Sequence, residues 1–122
     1  MKGNNRTWGA EGEAIAAGFL INKGYRILVR NFRNYLGEMD LVAQEGKFIC
    51  FVEVKFRKSL SRGYPYESVN YFKQRRLIRI AQSYLKYRYG TTDIPARFDV
   101  ISICQDSLGH NKITHFVNAF EC

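Results

Sequence analysis

The sequence is poor in the features that mark secreted, zinc-bound or membrane proteins. Its 122 residues hold three cysteines, Cys50, Cys104 and Cys122, and none belongs to a CxxC pair. His110 and His115 lie far from Cys50, so no zinc site of ordinary spacing can be drawn. Cys50 and Cys104 fall in apolar, strand-like runs, where cysteine is most often a small buried hydrophobe. No stretch approaches the ~18 apolar residues of a membrane span, and the N-terminal MKGNNRTWGAEGEA has no apolar signal-like region. Together these point to a soluble, cytoplasmic chain with no membrane partner. Acid is scarce too: 11 Asp and Glu stand against 19 Lys and Arg, a net charge of +8. That excess favours a polyanionic partner, nucleic acid ahead of an anionic membrane surface.

What is present is a globular composition, 46% hydrophobic and 25% charged, at a length that suits one domain with one core. Residues 1 to 6 are polar and expected to fray. Trp8, Ile15, Ala16, Phe19 and Leu20 recur at helical spacing from Thr7 to about Lys23, and Gly24 follows where a C-cap glycine belongs. Residues 25 to 32 read as a strand and 34 to 37 as a turn. Two further strands, about 38 to 44 and 47 to 55, flank a turn at Glu45-Gly46. After a basic loop, a second helix is expected from about Glu67 to Tyr89. Its apolar stripe is Val69, Phe72, Leu77, Ile80, Ala81, Tyr84 and Leu85. Strands at 98 to 103 and 113 to 120 complete an α/β fold with a mixed sheet flanked by helices.

Charge sits oddly in the middle of this pattern. The segment GEMDLVAQEGKFICFVEVKFR (37 to 57) is strand material, yet it carries Glu38, Asp40, Glu53 and Lys55. With Glu45-Gly46 as the turn, Asp40 would face Phe51 and Glu38 would face Glu53. Asp40 and Glu53 would then be diagonal neighbours, roughly 7 Å or less apart at Cβ. Side-chain alternation puts Glu38, Asp40, Val42, Lys47, Ile49, Phe51, Glu53 and Lys55 on one face. Met39, Leu41, Ala43, Phe48, Cys50, Val52 and Val54 would form an apolar face opposite. Two carboxylates this close repel, and a hard divalent cation resolves the conflict. An isolated ExK tripeptide is more often an ordinary strand-end ion pair, but here it shares a face with a third charged strand position in a basic domain.

Other residues are candidates to join this cluster. Glu13 lies beside the apolar stripe of the first helix, and Lys73 on the second helix could reach a phosphate. Arg57, Lys58 and Arg62 follow ExK directly, and Lys73, Arg75, Arg76 and Arg79 crowd the start of the second helix. Tyr64, Tyr66 and Tyr71 are interleaved, a mixture suited to phosphates and exposed bases.

Several segments resemble the bacterial YraN (UPF0102) proteins, assigned to the restriction-endonuclease-like PD-(D/E)xK superfamily. They are GAEGEAIAAGFLINKGYRIL, NFRNYLGEMDLVA, FICFVEVKFR, the KQRRL helix start and RFDVISI, spanning about residues 9 to 103. The resemblance implies a single endonuclease-like domain with an αβββαβ core and metal-dependent cleavage of DNA, branched or damaged DNA included. It matches Asp40, Glu53 and Lys55 to the superfamily's catalytic residues, and Glu13 to the helix-one acid of related archaeal Holliday-junction resolvases. Mg²⁺ or Mn²⁺ held by Asp40 and Glu53, with Glu13 and the carbonyl of Val54, is the implied cofactor. A homodimer is implied as well, since junction enzymes of related fold usually pair. The alternative is a nucleic-acid-binding module on a nuclease scaffold without catalysis, and a third reading is a basic domain that binds a protein.

Overall fold

The computed structural model describes residues 2–58 and 70–120, with side chains from 9 to 57 and from 70 to 120. Helix α1 spans Lys2–Asn22, β1 Arg26–Asn34, β2 Gly37–Glu45 and β3 Phe48–Lys58. Helix α2 (Tyr71–Tyr89), β4 (Ala96–Gln105) and β5 (Asn111–Phe120) follow. The expected αβββαβ order is therefore present, with β5 as an added edge strand. The five strands pair in sequence order, antiparallel except for β3 and β4, which α2 joins in parallel. Among the described residues no helix is long and apolar enough to cross a membrane.

Each helix covers one face of the sheet. Ala16, Ala17 and Leu20 of α1 pack on Leu41, Ala43, Cys50, Val52, Ile101 and Ile103. Leu77, Ile80, Ala81, Tyr84 and Leu85 of α2 pack on Val42, Ile49, Phe51, Phe98 and Val100 on the other face. The alternation of these strand residues between the two clusters is the period of two that a sheet buried on both sides demands. Helix α1 begins at Lys2, ahead of the expected Thr7 and within the segment expected to fray. It closes at Gly24 (φ +94°), where Gly24 N–H donates to Ile21 O and Tyr25 N–H to Leu20 O, a Schellman ending. Helix α2 starts at Tyr71, with the Asn70 side chain accepting from Lys73 N–H at 2.9 Å. The expected start at Glu67, and Val69 with it, lie outside the described residues.

Three local expectations are corrected. The β2–β3 turn is Gly46-Lys47, which makes Val42 rather than Asp40 the partner of Phe51. Gly46 alone takes a positive φ (+57°) there, as a II′ hairpin turn requires of its first residue. Met39 packs in the α2 cluster, not with Leu41 on the α1 face, and lies beyond the last β2–β3 pair at Leu41↔Val52. Phe72 is absent from the core stripe: it is 81% exposed.

Helix α1 lies close to β3 because residue 12 has no side chain. A Cβ there would stand 3.0 Å from Phe56 Cβ, whereas one at Gly18 on the same helix would meet nothing within 4 Å. Gly18→Ala is therefore expected to stabilise the protein by about 0.5–1 kcal/mol through helix propensity. Gly12→Ala should instead lose about 1–3 kcal/mol by overpacking. Denaturant midpoints of the two variants check the pair, and equal gains in both would refute the close approach.

Candidate active site

The β2–β3 ladder runs from Glu45↔Phe48 to Leu41↔Val52 and then opens. Past that point the Val54 N–H has no strand carbonyl to meet on the β2 side, and a buried N–H needs an acceptor. Asp40 Oδ2 supplies it at 2.7 Å. The carboxylate thus sits in the gap between the strands, where it borders a cleft on each face of the sheet.

The cleft on the α2 side holds about 260 Å³ and is lined by Gly37, Glu38, Asp40, Glu53, Lys73, Arg76, Leu77 and Ile80. The cleft on the α1 side, about 310 Å³, is lined by Gly9, Gly12, Glu13, Asp40, Val54, Lys55 and Phe56. Asp40 is common to both. The corrected turn slips the strands by two residues from the expected register, so the side chains within the ladder keep their faces. Extended past Leu41 and Val52, it sets Asp40 directly across from Glu53 instead of diagonally, and both carboxylates line the α2-side cleft.

Glu53 is only 7% exposed. Its Oε2 lies 3.1 Å from Lys55 Nζ and also pairs with Lys73 Nζ. Burial, and then the charge of Glu53, push the Asp40 carboxyl up to about 7, although the Val54 N–H works against the rise. Burial and the neighbouring Lys73 hold the Lys55 ammonium below its ordinary value. Burial opposes the charge of Lys73 as well, but its contact with the Glu53 carboxylate outweighs that and raises it. The cluster is therefore two carboxylates in conflict, with one lysine held below its ordinary value and one above it.

The remaining predicted residues are placed more loosely. Glu13 reaches the α1-side cleft, with its carboxyl raised by burial and then by Glu38. Glu38 pairs with Arg33 at 3.1 Å on the surface. Arg57 is half-buried on β3, and Arg75 and Arg76 are exposed on α2, Arg76 at the cleft. Lys58 closes β3, but its side chain, like Arg62, Tyr64 and Tyr66, lies outside the described residues.

The donor set suits a hard cation. Asp40 and Glu53 offer oxygens whose mutual repulsion a divalent ion would relieve. Among the described residues no three acidic, histidine or cysteine side chains converge as a closed ligand set, Glu13 included. A site with two protein carboxylates, the rest being carbonyl and water, is the kind that Mg²⁺ accepts.

Pattern reading missed a second charged cluster. Asp99, fully buried on β4, accepts from Arg97 Nε at 3.1 Å, Asn118 N–H at 3.0 Å and His115 Nε2 at 2.8 Å. Lys23 Nζ lies 2.8 Å from the other ring nitrogen, so Nδ1 accepts and Nε2 carries the donated hydrogen. Arg97 also reaches Glu45 at 2.9 Å and the hydroxyl of Tyr25. The only local signal was an aspartate inside an otherwise apolar strand.

The pH dependence separates the two clusters. Asp40 keeps its proton to about pH 7 in the folded chain, while an unfolded aspartate releases it near 3.8. Between those values folding takes up a proton, so this contribution to stability falls as pH rises from about 4 to about 7. Asp40→Asn retains an acceptor for Val54 N–H and has no proton to release. Metal-free D40N is expected to exceed wild type by on the order of 1–3 kcal/mol near pH 8, with the gap closing near pH 4. Urea unfolding at the two pH values checks it, and identical pH slopes would count against the shift.

The comparisons with known proteins point to one family. The model of the family described as "Uncharacterised protein family UPF0102" matches residues 12–103. A UPF0102 protein of Chlorobium limicola is 44% identical over 92% of this chain and 90% of its own length. One from Geobacter sulfurreducens is 45% identical over 97% of this chain and 91% of its own. One from Acetivibrio thermocellus is 44% identical over 98% and 95%. The matched segment carries α1 from Gly12 onward, the Asp40–Glu53 pair, both lysines and most of β4. On these grounds the chain belongs to the UPF0102 family.

Proposed function

We propose that the protein is a nuclease that hydrolyses DNA phosphodiester bonds with Mg²⁺ or Mn²⁺. The observation that carries this reading is the pairing of Asp40 with Glu53 at the split of β2 from β3, with Lys55 and Lys73 on one Glu53 oxygen. Structural ion pairs neutralise charge in matched sets, but here burial raises Asp40 instead of settling it.

Asp40 and Glu53 would hold the cation, with the Val54 carbonyl beside them. When bound, the ion would lower the pKa of a coordinated water and neutralise charge on the phosphate. Lys55, beside Glu53 at the α1-side cleft, is placed to orient the attacking water or to stabilise charge developing on the phosphate. Lys73, whose charge is firmly held, would leave Glu53 for the phosphate once the cation takes its place, and stabilise charge developing there. Arg76 at the cleft and Arg75 beside it would fix the neighbouring phosphates. Glu13 would face the site through water from the α1 side.

One observation favours a second reading, a nucleic-acid-binding module without catalysis. Lys55 and Lys73 already pair with Glu53, so part of the charge is balanced without any cation. The readings part on one experiment, cleavage of linear, flapped and four-way DNA with Mg²⁺ or Mn²⁺. The wild type is expected to cut at least one substrate, and Asp40→Asn, Glu53→Gln and Lys55→Gln each to lose about 100-fold or more. Salt-sensitive DNA binding with no cutting of any substrate, or cutting that survives D40N, would replace the nuclease with the binding module.

A further inference from the structure

Helix α2 has a composition that its fold does not call for. Its 19 residues, YFKQRRLIRIAQSYLKYRY, include Lys73, Arg75, Arg76, Arg79, Lys86 and Arg88 and no carboxylate. A helix face that only meets water usually interleaves both signs, because like charges three or four residues apart repel. The inner stripe from Leu77 to Leu85 accounts for the core. It leaves the outer stripe Phe72, Arg76, Arg79, Ser83, Tyr87, spaced at four, three, four and four residues along one face.

Both ends of that outer stripe carry an exposed aromatic ring. Phe72 is 81% exposed and Tyr87 is 82% exposed. The β1–β2 turn adds Tyr35, 91% exposed, at the Tyr87 end. That turn is fixed to the helix, since Asn34 Nδ2 donates to Ser83 Oγ at 2.8 Å, and the Cβ position of Gly37 lies 3.2 Å from Ile80 Cδ1. Phe72 directly precedes Lys73, which reaches Glu53 in the cleft. Fifteen residues of α-helix separate the two end rings, roughly 22 Å, the reach of about four nucleotides.

Arginines alone would serve a duplex, whose base faces are hidden by stacking. Solvent-facing rings at both ends of a cationic stripe offer nothing to a duplex backbone and a stacking surface to unpaired bases. We propose that the outer face of α2 is a track for an unpaired DNA strand, whose bases stack on Phe72 and Tyr87 while Arg76 and Arg79 hold the phosphates between. The inference rests on the nucleic-acid reading above and narrows it: the substrate presents a single-stranded segment, such as a flap, gap or splayed arm, to the Asp40–Glu53 cleft.

Fluorescence anisotropy with the full chain in EDTA tests this without cleavage. The probes are a labelled 20-nucleotide thymidine oligomer, an abasic strand of the same length and a blunt 20-base-pair duplex. The wild type should bind the oligomer more tightly than the duplex. Phe72→Ala should weaken oligomer binding by about tenfold and leave duplex binding within about twofold. Phe72→Trp should restore the oligomer's affinity, and the abasic strand should bind wild type and F72A alike. Arg76→Ala should weaken both the oligomer and the duplex. Oligomer binding that F72A and the F72A/Y87A double variant leave unchanged, with the circular dichroism melt intact, would overturn the track. An equal loss for oligomer and duplex would overturn it as well, in favour of duplex binding. If binding behaves as expected while no substrate is cut, the nuclease reading fails and the track stands. If DNA is cut but binding ignores both rings, only the track fails.

Discussion

The hydrogen bond from Val54 N–H to Asp40 Oδ2 is the contact on which the site depends. A sheet ladder can stop only if the freed backbone groups find other partners. Here a side chain takes over from the neighbouring strand, and β2 parts from β3 without leaving a buried N–H unmet. The same substitution fixes the carboxylate in the gap, open to both faces of the sheet. Helix α1 on one side and α2 on the other then bring Glu13 and Lys73 to the two clefts that Asp40 borders. Gly12 serves the first approach and Gly37 the second, since each would set a Cβ against a neighbour on the opposing element. What draws the polar residues together is thus a backbone requirement of the sheet, met by one aspartate.

The sequence made the face of each charge legible more securely than its exact partner. The expected turn at Glu45-Gly46 was one residue off, yet Asp40, Glu53 and Lys55 stayed together because a two-residue slip preserves alternation. The turn was misplaced because a glycine can serve at either position of a two-residue loop, and only its φ of +57° marks Gly46 as the first. Met39 changed sides where simple alternation was extended past the last β2–β3 pair, Leu41↔Val52. Phe72 was assigned to the core because an apolar residue near a stripe reads as part of it. Periodicity alone cannot separate a buried ring from an exposed one. The Asp99 cluster stayed invisible for another reason: its partners come from α1, β5 and the segments around them, and no local pattern links Lys23, Tyr25, Asp99 and His115.

The two acidic clusters share a fold and differ in how they are settled. Burial alone would raise the Asp99 carboxyl, but hydrogen bonds from His115, Asn118 and Arg97 outweigh it and hold it below the ordinary range. This is a buried charge with every need met, and it pins β4, β5 and the end of α1 to one another. Asp40 has one backbone donor, a second carboxylate across from it and a proton it should not need at neutral pH. A chain able to satisfy one buried aspartate completely, and leaving another in conflict at the mouth of two clefts, has placed its unmet demand where a ligand can answer it. The cationic outer face of α2 lies beside that demand and repeats it in the opposite sign, with arginines on a helix that carries no acid of its own. A divalent cation for the carboxylates and a phosphate chain for the arginines would answer both at once.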